Sequence, residues 1–404
     1  MPVGDIRLDT LTVGSIDVGN SLDVQLVGFN VYEDLFNPYG VTAEIKINDY
    51  LDALGRTNLT GKEDVKIEFS LYDLPSDTLS FDLKCFENKD LTDRSNTGKT
   101  SLKHKQYVIR CITEEYLTAQ AKGALQQDFN APIHDSIRKL VKEVGFMSKK
   151  PFMTDDPTKG KIRHVGSGHP IEIYQQLNDR AVSMKNKSSA YVLHVSGEKY
   201  KYCTIEELCR KGPVASLSQS TTLGAGSTEQ QKLNSITDIL VSTSFFTANR
   251  SRSLTKQSTY DPVTGKATYP LTAAFSKFVH LGNPVFKEKP SGNVQKTHTQ
   301  HDRANNKTST DIAEARQNRA AYLSYLAQNN AEMTIPGNPN IKLGSVINIT
   351  IPNKSTDNAG EERQFTGPVL VTNIRHIIHP LTTQPRYQMR LKVTKAGGYA
   401  QGGE

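Results

Sequence analysis

Apolar and polar side chains alternate with a period of two at both ends of the chain. Near the start, Val41, Ala43, Ile45 and Ile47 alternate with Thr42, Glu44, Lys46 and Asn48, and Val65, Ile67, Phe69 and Leu71 alternate with Lys66, Glu68 and Ser70. Leu79, Phe81, Leu83 and Cys85 repeat the pattern, as do Tyr107, Ile109 and Cys111. Near the end, Ile347, Ile349 and Ile351 alternate with Asn348 and Thr350, and Tyr387, Met389, Leu391 and Val393 with Gln388, Arg390 and Lys392. Successive strand side chains point to opposite faces, so each segment predicts a strand with one buried and one wet face. That is the pattern of antiparallel sheets and small barrels rather than of a buried parallel sheet. Pro336, Gly337, Asn338 and Pro339 predict a turn between strands, because glycine and asparagine tolerate positive φ and proline fixes it.

Between these β-rich ends the period changes. Pro132, Ile133, Ile137, Leu140, Val141 and Val144 recur at helical spacing, with Pro132 suited to a first turn and Gly145 to a stop. Pro170 opens a second helix, predicted to carry Ile171, Tyr174, Leu177, Ala181 and Met184 on one face. Residues 191–195 and 199–203 flank a Ser-Gly turn and predict a hairpin. Together these segments predict a compact α/β lobe. Residues 213–233, rich in Ser, Thr, Gln and Gly, predict a linker. Strand character returns over 235–249, and residues 260–265 predict a turn in an exposed excursion. A helix is expected over 311–328, with Asp311 and Glu314 as a capping box and Ile312, Ala315, Tyr322, Leu323 and Leu326 on its apolar side.

Composition narrows the class. A chain of 404 residues holds about two to four domains. A hydrophobic content of 36% without any tryptophan, and a mean hydropathy of -0.50, predict a large surface for the mass. No run approaches the roughly 18 apolar residues of a membrane span, and the first residues lack a basic start with an apolar core, so cytoplasmic synthesis without membrane insertion is expected. Cys85, Cys111, Cys203 and Cys209 show no CxxC spacing and are expected as buried free thiols. The net charge of +7 raises the question of nucleic acid. Its main concentration is Lys287, Lys289, Lys296, Arg303 and Lys307 against Glu288 and Asp302, in a stretch of Asn, Thr, Pro and Gly with Phe286 as its one aromatic. That composition reads as a solvated loop rather than a phosphate-binding groove.

Candidate chemistry is thin. Gly98-Lys99-Thr100 has the tail of a phosphate-binding loop, but Asp93 stands where the first glycine belongs. Gly224 and Gly226 lie in the linker. His298 with His301, and His376 with His379, each offer two imidazoles without the carboxylate or thiol spacing of a metal site, and a spacing of three puts strand residues on opposite faces. Glu114 with Glu115, and Glu361 with Glu362, would serve as a glycosidase pair only if folding brought distant members together. No catalytic, cofactor or metal site is expected.

Two segments resemble a known family. Residues 31–38, with Glu33 and Pro38, followed by residues 44–49 ending in Asp49, resemble the N-terminal signature of central baseplate hub proteins of contractile-tailed bacteriophages. Residues 335–339, containing Gly337, Asn338 and Pro339, then Gly344, and later residues 372–376 with Arg375 and His376, together with Tyr387 to Lys392, resemble that family's second signature. The family is related to the hub portion of type VI secretion spikes. The resemblance implies a mainly β chain with α+β insertions: two tail-tube-like antiparallel β-barrel domains plus a peripheral α/β lobe on the outside of the assembly. Residues 1–114 would form the first barrel, 115–204 with 251–309 the lobe and its excursion, 205–234 a flexible linker, 235–250 with 310–396 the second barrel, and 397–404 a tail.

By the same resemblance, three copies would present six quasi-equivalent barrels in a homotrimeric ring, adapting a hexameric tail tube to a trimeric spike among the surrounding baseplate wedge proteins. DNA would be a partner only in passage through the central channel, in a virion assembled in the host cytoplasm. The motif residues would then form barrel framework, without catalysis. Three other readings stand beside this one: the hub of a type VI or other injection-device spike, a tail-associated peptidoglycan hydrolase, and a basic nucleic-acid-binding protein. The positive net charge fits a conduit only if it lies away from the lumen.

Overall fold

The computed structural model describes residues 5–57, 59–71, 74–91, 105–185, 189–219, 229–243, 256–260, 267–268, 295–299, 319, 323, 326, 329–352, 365–380 and 387–395. The first part of the chain runs β1 (Ile6–Val13), β2 (Ile16–Asp17), β3 (Val24–Asp34), β4 (Thr42–Asp49), the short helix α1 (Ala53–Thr57), β5 (Asp64–Leu71), β6 (Leu74–Asp90) and β7 (Lys105–Ile112). Alternation produces these strands as expected: in β4, Ala43, Ile45 and Ile47 are buried while the intervening side chains reach the surface.

The middle follows with α2 (Glu114–Lys122), β8 (Leu125–Pro132), α3 (Ile133–Lys139), a π-helical turn (Leu140–Val144), β9 (Phe152–Met153), β10 (Lys161–Gly168), α4 (Pro170–Asn178), β11 (Tyr191–Ser196), β12 (Lys199–Thr204) and α5 (Ile205–Cys209). Then come β13 (Ser216–Ser218), α6 (Glu229–Leu233) and β14 (Asp238–Thr243). Strands β15 (Lys256–Tyr260), β16 (Ala267–Thr268) and β17 (Gln295–Thr299) make a small sheet of their own, and β18 (Asn329–Pro336), β19 (Val346–Thr350), β20 (Gly367–Ile378) and β21 (Tyr387–Lys395) complete the chain.

One 13-stranded sheet takes in both ends of the polypeptide, in the order β14-β18-β21-β20-β3-β4-β7-β6-β5-β1-β2, with β19 on β20 and β13 on β19. The junction is the long strand β20. Along one edge its first part pairs with β19 and its second part, Asn373 to Ile378, pairs antiparallel with β3. The N-terminal and C-terminal strand sets therefore share hydrogen bonds, and a single apolar cluster runs from Phe29, Phe69 and Phe81 to Met389, Leu391 and Val393.

The α/β lobe has its own core, built from Phe129, Ile137, Leu140, Ile173, Leu177, Tyr191, Tyr200 and Tyr202 among others. Its hairpin β11–β12 is buried on both faces. Tyr191, Leu193 and Val195 face the lobe, whereas Val192 and Cys203 join the main core. The hairpin thus seats the lobe on the body.

Three expectations change. The stretch 205–234 is not simply a linker: α5, β13 and α6 lie in it, and Leu217, 1% exposed, carries β13 into parallel pairing with β19. Serine and threonine flanking one apolar residue suit such a short strand as well as a linker, so composition alone misleads. Helix α4 ends at Asn178, leaving Ala181 and an exposed Met184 beyond it. The Asn178 amide donates to Tyr174 Oη and the Tyr191 carbonyl and accepts from Tyr202 Oη, which fixes the end of the helix inside the lobe. The helix predicted from Pro132 passes into a π turn at Leu140. In the 311–328 helix, Arg319, Leu323 and Leu326 are helical and Leu326 is buried; Asp311, Ile312, Glu314, Ala315 and Tyr322 lie outside the described residues.

Candidate functional site

The residues of the two sequence signatures meet at the β3–β20 seam. Glu33 and His376 face each other there, with His376 Nε2 2.9 Å from Glu33 Oε1, and His376 Nδ1 lies 2.7 Å from Tyr387 Oη. His376 is 1% exposed and Tyr387 also 1%, and burial pushes the Tyr387 phenol well above its ordinary pKa. Phe69 and Phe81 of the first strand set pack on this pair: Phe69 meets the Tyr387 ring edge-on at 5.2 Å, and Phe81 lies 5.7 Å from His376. Polar groups buried in an apolar core need their hydrogen bonds satisfied. This chain satisfies them across the seam, so the network specifies which strands pair.

The remaining signature residues support the loops around the seam. Asp49, 1% exposed, accepts from the backbone amides of Ala53 and Leu54 at 2.9 Å each, which starts α1. Pro38 is buried in the turn after β3. Gly337 has the Tyr387 ring directly above it, where a Cβ would fall 1.9 Å from Cδ1. Asn338 accepts from the Asn340 amide at 3.1 Å and turns the chain, with Pro339 buried beside it. Gly344 adopts φ +76 and gives its amide to the Val371 carbonyl at 3.0 Å. Of the nine signature residues, the seam brings Glu33, Arg375 and His376 onto the paired strands β3 and β20, with Glu33 and His376 in contact.

Arg375 lies on the opposite face of the same sheet, and there the sequence reading missed a larger feature. A belt of charged and polar side chains crosses seven adjacent strands. Glu332 on β18 pairs with Lys392 on β21 at 3.2 Å. Arg390 on β21 stands opposite Arg375 on β20. Arg375 donates to Asn30 Oδ1 at 3.3 Å and lies over the Tyr32 ring at 5.3 Å. Tyr32 donates to Glu44 Oε2 on β4 at 3.3 Å, and Arg110 on β7 bridges Glu44 at 3.0 Å and Glu87 on β6 at 2.8 Å. Burial first, and then the Glu44 carboxylate, raise the Tyr32 phenol above its ordinary range against the opposing pull of Arg375. A groove of about 490 Å³ lies along the seam, lined by Tyr32, Asp34, Glu332, Arg375, Arg390 and Lys392 among others. Four cations (Arg110, Arg375, Arg390, Lys392) thus share this face with four carboxylates (Asp34, Glu44, Glu87, Glu332). The signal was present, since Glu44, Arg390 and Lys392 occupy wet positions of the alternation, but only the strand order aligns them.

The other candidates fall away or lie outside the described residues. Glu115 is buried, accepting from Ser148 Oγ at 2.7 Å and Lys150 Nζ at 2.9 Å. His379 stands beyond the end of β20 while His376 sits in the core. Residues 98–100, 224–226, 301 and 361–362 are among those not described. Among the described residues no group of three His, Cys, Asp or Glu side chains is placed to hold a metal ion, and no helix is long and apolar enough to cross a membrane.

No family model matches the sequence, and no curated protein matches it. Solved structures do. The fold is similar to that of a tail protein from Neisseria meningitidis, with a TM-score of 0.59 and 11% identity over 98% of both chains. It is similar to a 43 kDa prophage tail protein from Shewanella oneidensis, with a TM-score of 0.56 and 10% identity over 97% of this chain and 99% of that one. An Escherichia coli component of the type VI secretion system, itself described as structurally similar to bacteriophage tail proteins, matches with a TM-score of 0.51 and 10% identity, over 98% of this chain and 79% of its own. At such identities the likeness is one of fold. The likeness to these mainly β proteins covers 97–98% of this chain.

Proposed function

We propose that this chain is the hub subunit of a contractile-tail baseplate: three copies form a ring that adapts a hexameric tube to a trimeric spike, without catalysis, and leaves a channel for DNA. The observation that carries the reading is the β3–β20 seam. It makes one sheet of the two strand sets, and in this reading a six-barrel ring would repeat that edge-to-edge contact between copies. The likeness to two tail proteins along almost their whole length supports the same reading. The ends of the strand path fit it as well. Among the described residues β14 pairs only with β18 and leaves Leu240 and Val241 exposed on opposite faces, while β1 and β2 close the other end. Open edges of this kind template pairing with another chain, and head-to-tail pairing of identical units closes a ring when the rotation permits.

In such a ring the lobe is on the outside, because its hairpin packs on the core side of the body, and the charged belt faces the lumen. Arg110 is engaged by Glu44 and Glu87, Lys392 by Glu332, and Arg375 by Asn30 and the Tyr32 ring, which tempers the positive charge offered to a passing polyanion. Native mass spectrometry of the purified chain tests the reading: a species at three times 44.7 kDa is expected, alone or with a trimeric spike, and a persistent monomer under both conditions overturns it.

The likeness to a type VI secretion component favours a second reading, the hub of an injection-device spike. Co-purification with a β-helical needle protein in place of tail-tube and wedge proteins distinguishes it.

A further inference from the structure

Two thiols stand opposite one another in the first strand set. Cys85 on β6 and Cys111 on β7 are directly paired in antiparallel register. Directly opposed residues project to the same face, and both lie in the main core at 1% and 0% exposure. The Cys85 amide donates to the Glu63 carbonyl at 3.0 Å, on the β5 side and away from β7. The opposed pair is therefore not one that exchanges backbone hydrogen bonds across β6 and β7. Pairs of that kind bring their Cα atoms to about 4.5 Å, inside the range of about 4.4–6.8 Å that a disulfide spans. A bulge between Cys85 and Glu87 gives β6 local freedom to adjust, and the pair lies one register step from the end of the β6–β7 ladder at Lys84 and Ile112. Access to the buried thiols requires that end of the ladder to open, or the chain to be still folding.

We propose that Cys85 and Cys111 are a latent cross-strand disulfide, closed by a small-molecule disulfide such as oxidised glutathione, that ties β6 to β7 beneath the charged belt. The Cys85 thiolate attacks one sulfur of oxidised glutathione and releases one glutathione thiolate. The Cys111 thiolate then attacks Cys85 Sγ, the bond from Cys85 to glutathione breaks, and the second glutathione thiolate leaves. Two cysteines are oxidised, one glutathione disulfide is reduced, and the two thiol protons end on the released glutathiones. Burial, with Glu63 adding to it, pushes the Cys85 thiol up to about 11, and Cys111 is raised further by burial and by Cys85 itself. The thiolate is the attacking species, so closure is slow at neutral pH and quickens by about tenfold per pH unit while both thiols stay mostly protonated. In a reducing cytoplasm the pair stays open.

The test exposes the full-length protein to oxidised glutathione, once in the native state and once during refolding from urea. Free thiols are then alkylated under denaturing conditions and the digest is mapped by mass spectrometry. The expected product is a linked peptide pair carrying Cys85 and Cys111, two hydrogens lighter than its parts, with Cys203 and Cys209 alkylated. Its appearance in either regime supports the proposal. Alkylated Cys85 and Cys111 in both regimes, stable glutathione adducts without the link, or predominant pairing of either with Cys203 or Cys209 overturns it. A melting temperature that rises on oxidation in the parent and not in Cys85→Ala gives an independent readout; if that variant does not fold, the parent map decides alone.

Discussion

His376 and Glu33 lie 343 positions apart in the chain and 2.9 Å apart in the fold. Their contact, with Tyr387 on the other ring nitrogen, is buried, so removing one member strands the others. Glu33→Ala should cost about 1–3 kcal/mol, the penalty of an unmet buried polar group, and Tyr387→Phe about 1 kcal/mol. His376→Ala adds a cavity and should exceed both. Urea unfolding midpoints measure these losses. A Glu33 and His376 double-mutant cycle should show coupling above about 0.5 kcal/mol, and strict additivity would remove the network from the account of the seam.

Gly337 is fixed by the ring that covers it. A Cβ there would overlap the Tyr387 ring at 1.9 Å from Cδ1, so Gly337→Ala must move either the turn or Tyr387, and with Tyr387 the bond to His376. A loss at or above the roughly 1–3 kcal/mol of ordinary overpacking is expected. Gly337→Ala combined with Tyr387→Leu should recover part of it. An unchanged midpoint for the single variant would mean that the turn relaxes freely.

Alternation exposed the strands that are wet on one face, such as Thr42–Asp49 and Tyr387–Lys395, because half-buried antiparallel strands write their geometry into every second residue. It also exposed the hairpin at 191–204 through its Ser-Gly turn. It was silent about β8 and β10, whose eight-residue ladder joins segments rich in Gln, Asp, Arg and Gly. The β3–β20 pairing left no local trace either, since register between strands so distant in sequence is set by buried partners such as Phe69, Phe81 and Tyr387 rather than by either strand alone. The belt was hidden for the same reason: each of its residues is an ordinary wet position until the order of seven strands lines them up.

His194 sets an acid limit. It is 0% exposed between the lobe and the body, opposite Lys201 in register, and neither ring nitrogen meets a protein partner among the described residues. Burial first, then Lys201 and Lys211, hold its pKa down to about 3, against about 6.5 when unfolded. The folded state therefore refuses a proton that the unfolded state accepts. Its stability is unaffected above about pH 6.5 and falls progressively as pH drops toward 3, by an amount on the order of a few kcal/mol. His194→Leu should flatten the decline between about pH 6 and 4 in urea unfolding, while equal slopes for parent and variant would show that the imidazole is hydrated.

The belt should govern adhesion to DNA rather than stability. Glu44 and Glu87 both engage Arg110, and all three side chains are partly exposed, so Glu44→Gln with Glu87→Gln should change stability little. Freed of its carboxylates, Arg110 joins Arg375 and Arg390 as a positive stripe. Fluorescence anisotropy with duplex DNA should show weak binding for the parent, and tighter binding with a steeper salt dependence for the double variant. Identical affinities and slopes would mean that the carboxylates of this face do not hold a polyanion off.

The edge strand β14 offers the sharpest test of assembly. Leu240 is 67% exposed and Val241 39%, so an apolar side chain stands uncovered on each face of the last strand in the path, flanked by Asp238 and Ser242. A soluble monomer would be expected to blunt such an edge with lysine or proline, because unpaired amides and carbonyls beside exposed leucine invite another strand. Leu240→Lys places a charge where a neighbouring copy would lie, keeps the backbone ladder of β14 with β18, and stands opposite Glu332, an acidic neighbour that tolerates it. Circular dichroism and the urea midpoint of the monomer should stay near the parent values, while native mass spectrometry should lose the trimer. If the trimer persists with the lysine in place, the ring closes through another edge. If the parent never forms a trimer, alone or with a spike, the six-barrel mechanism fails and β14 is covered by a different chain.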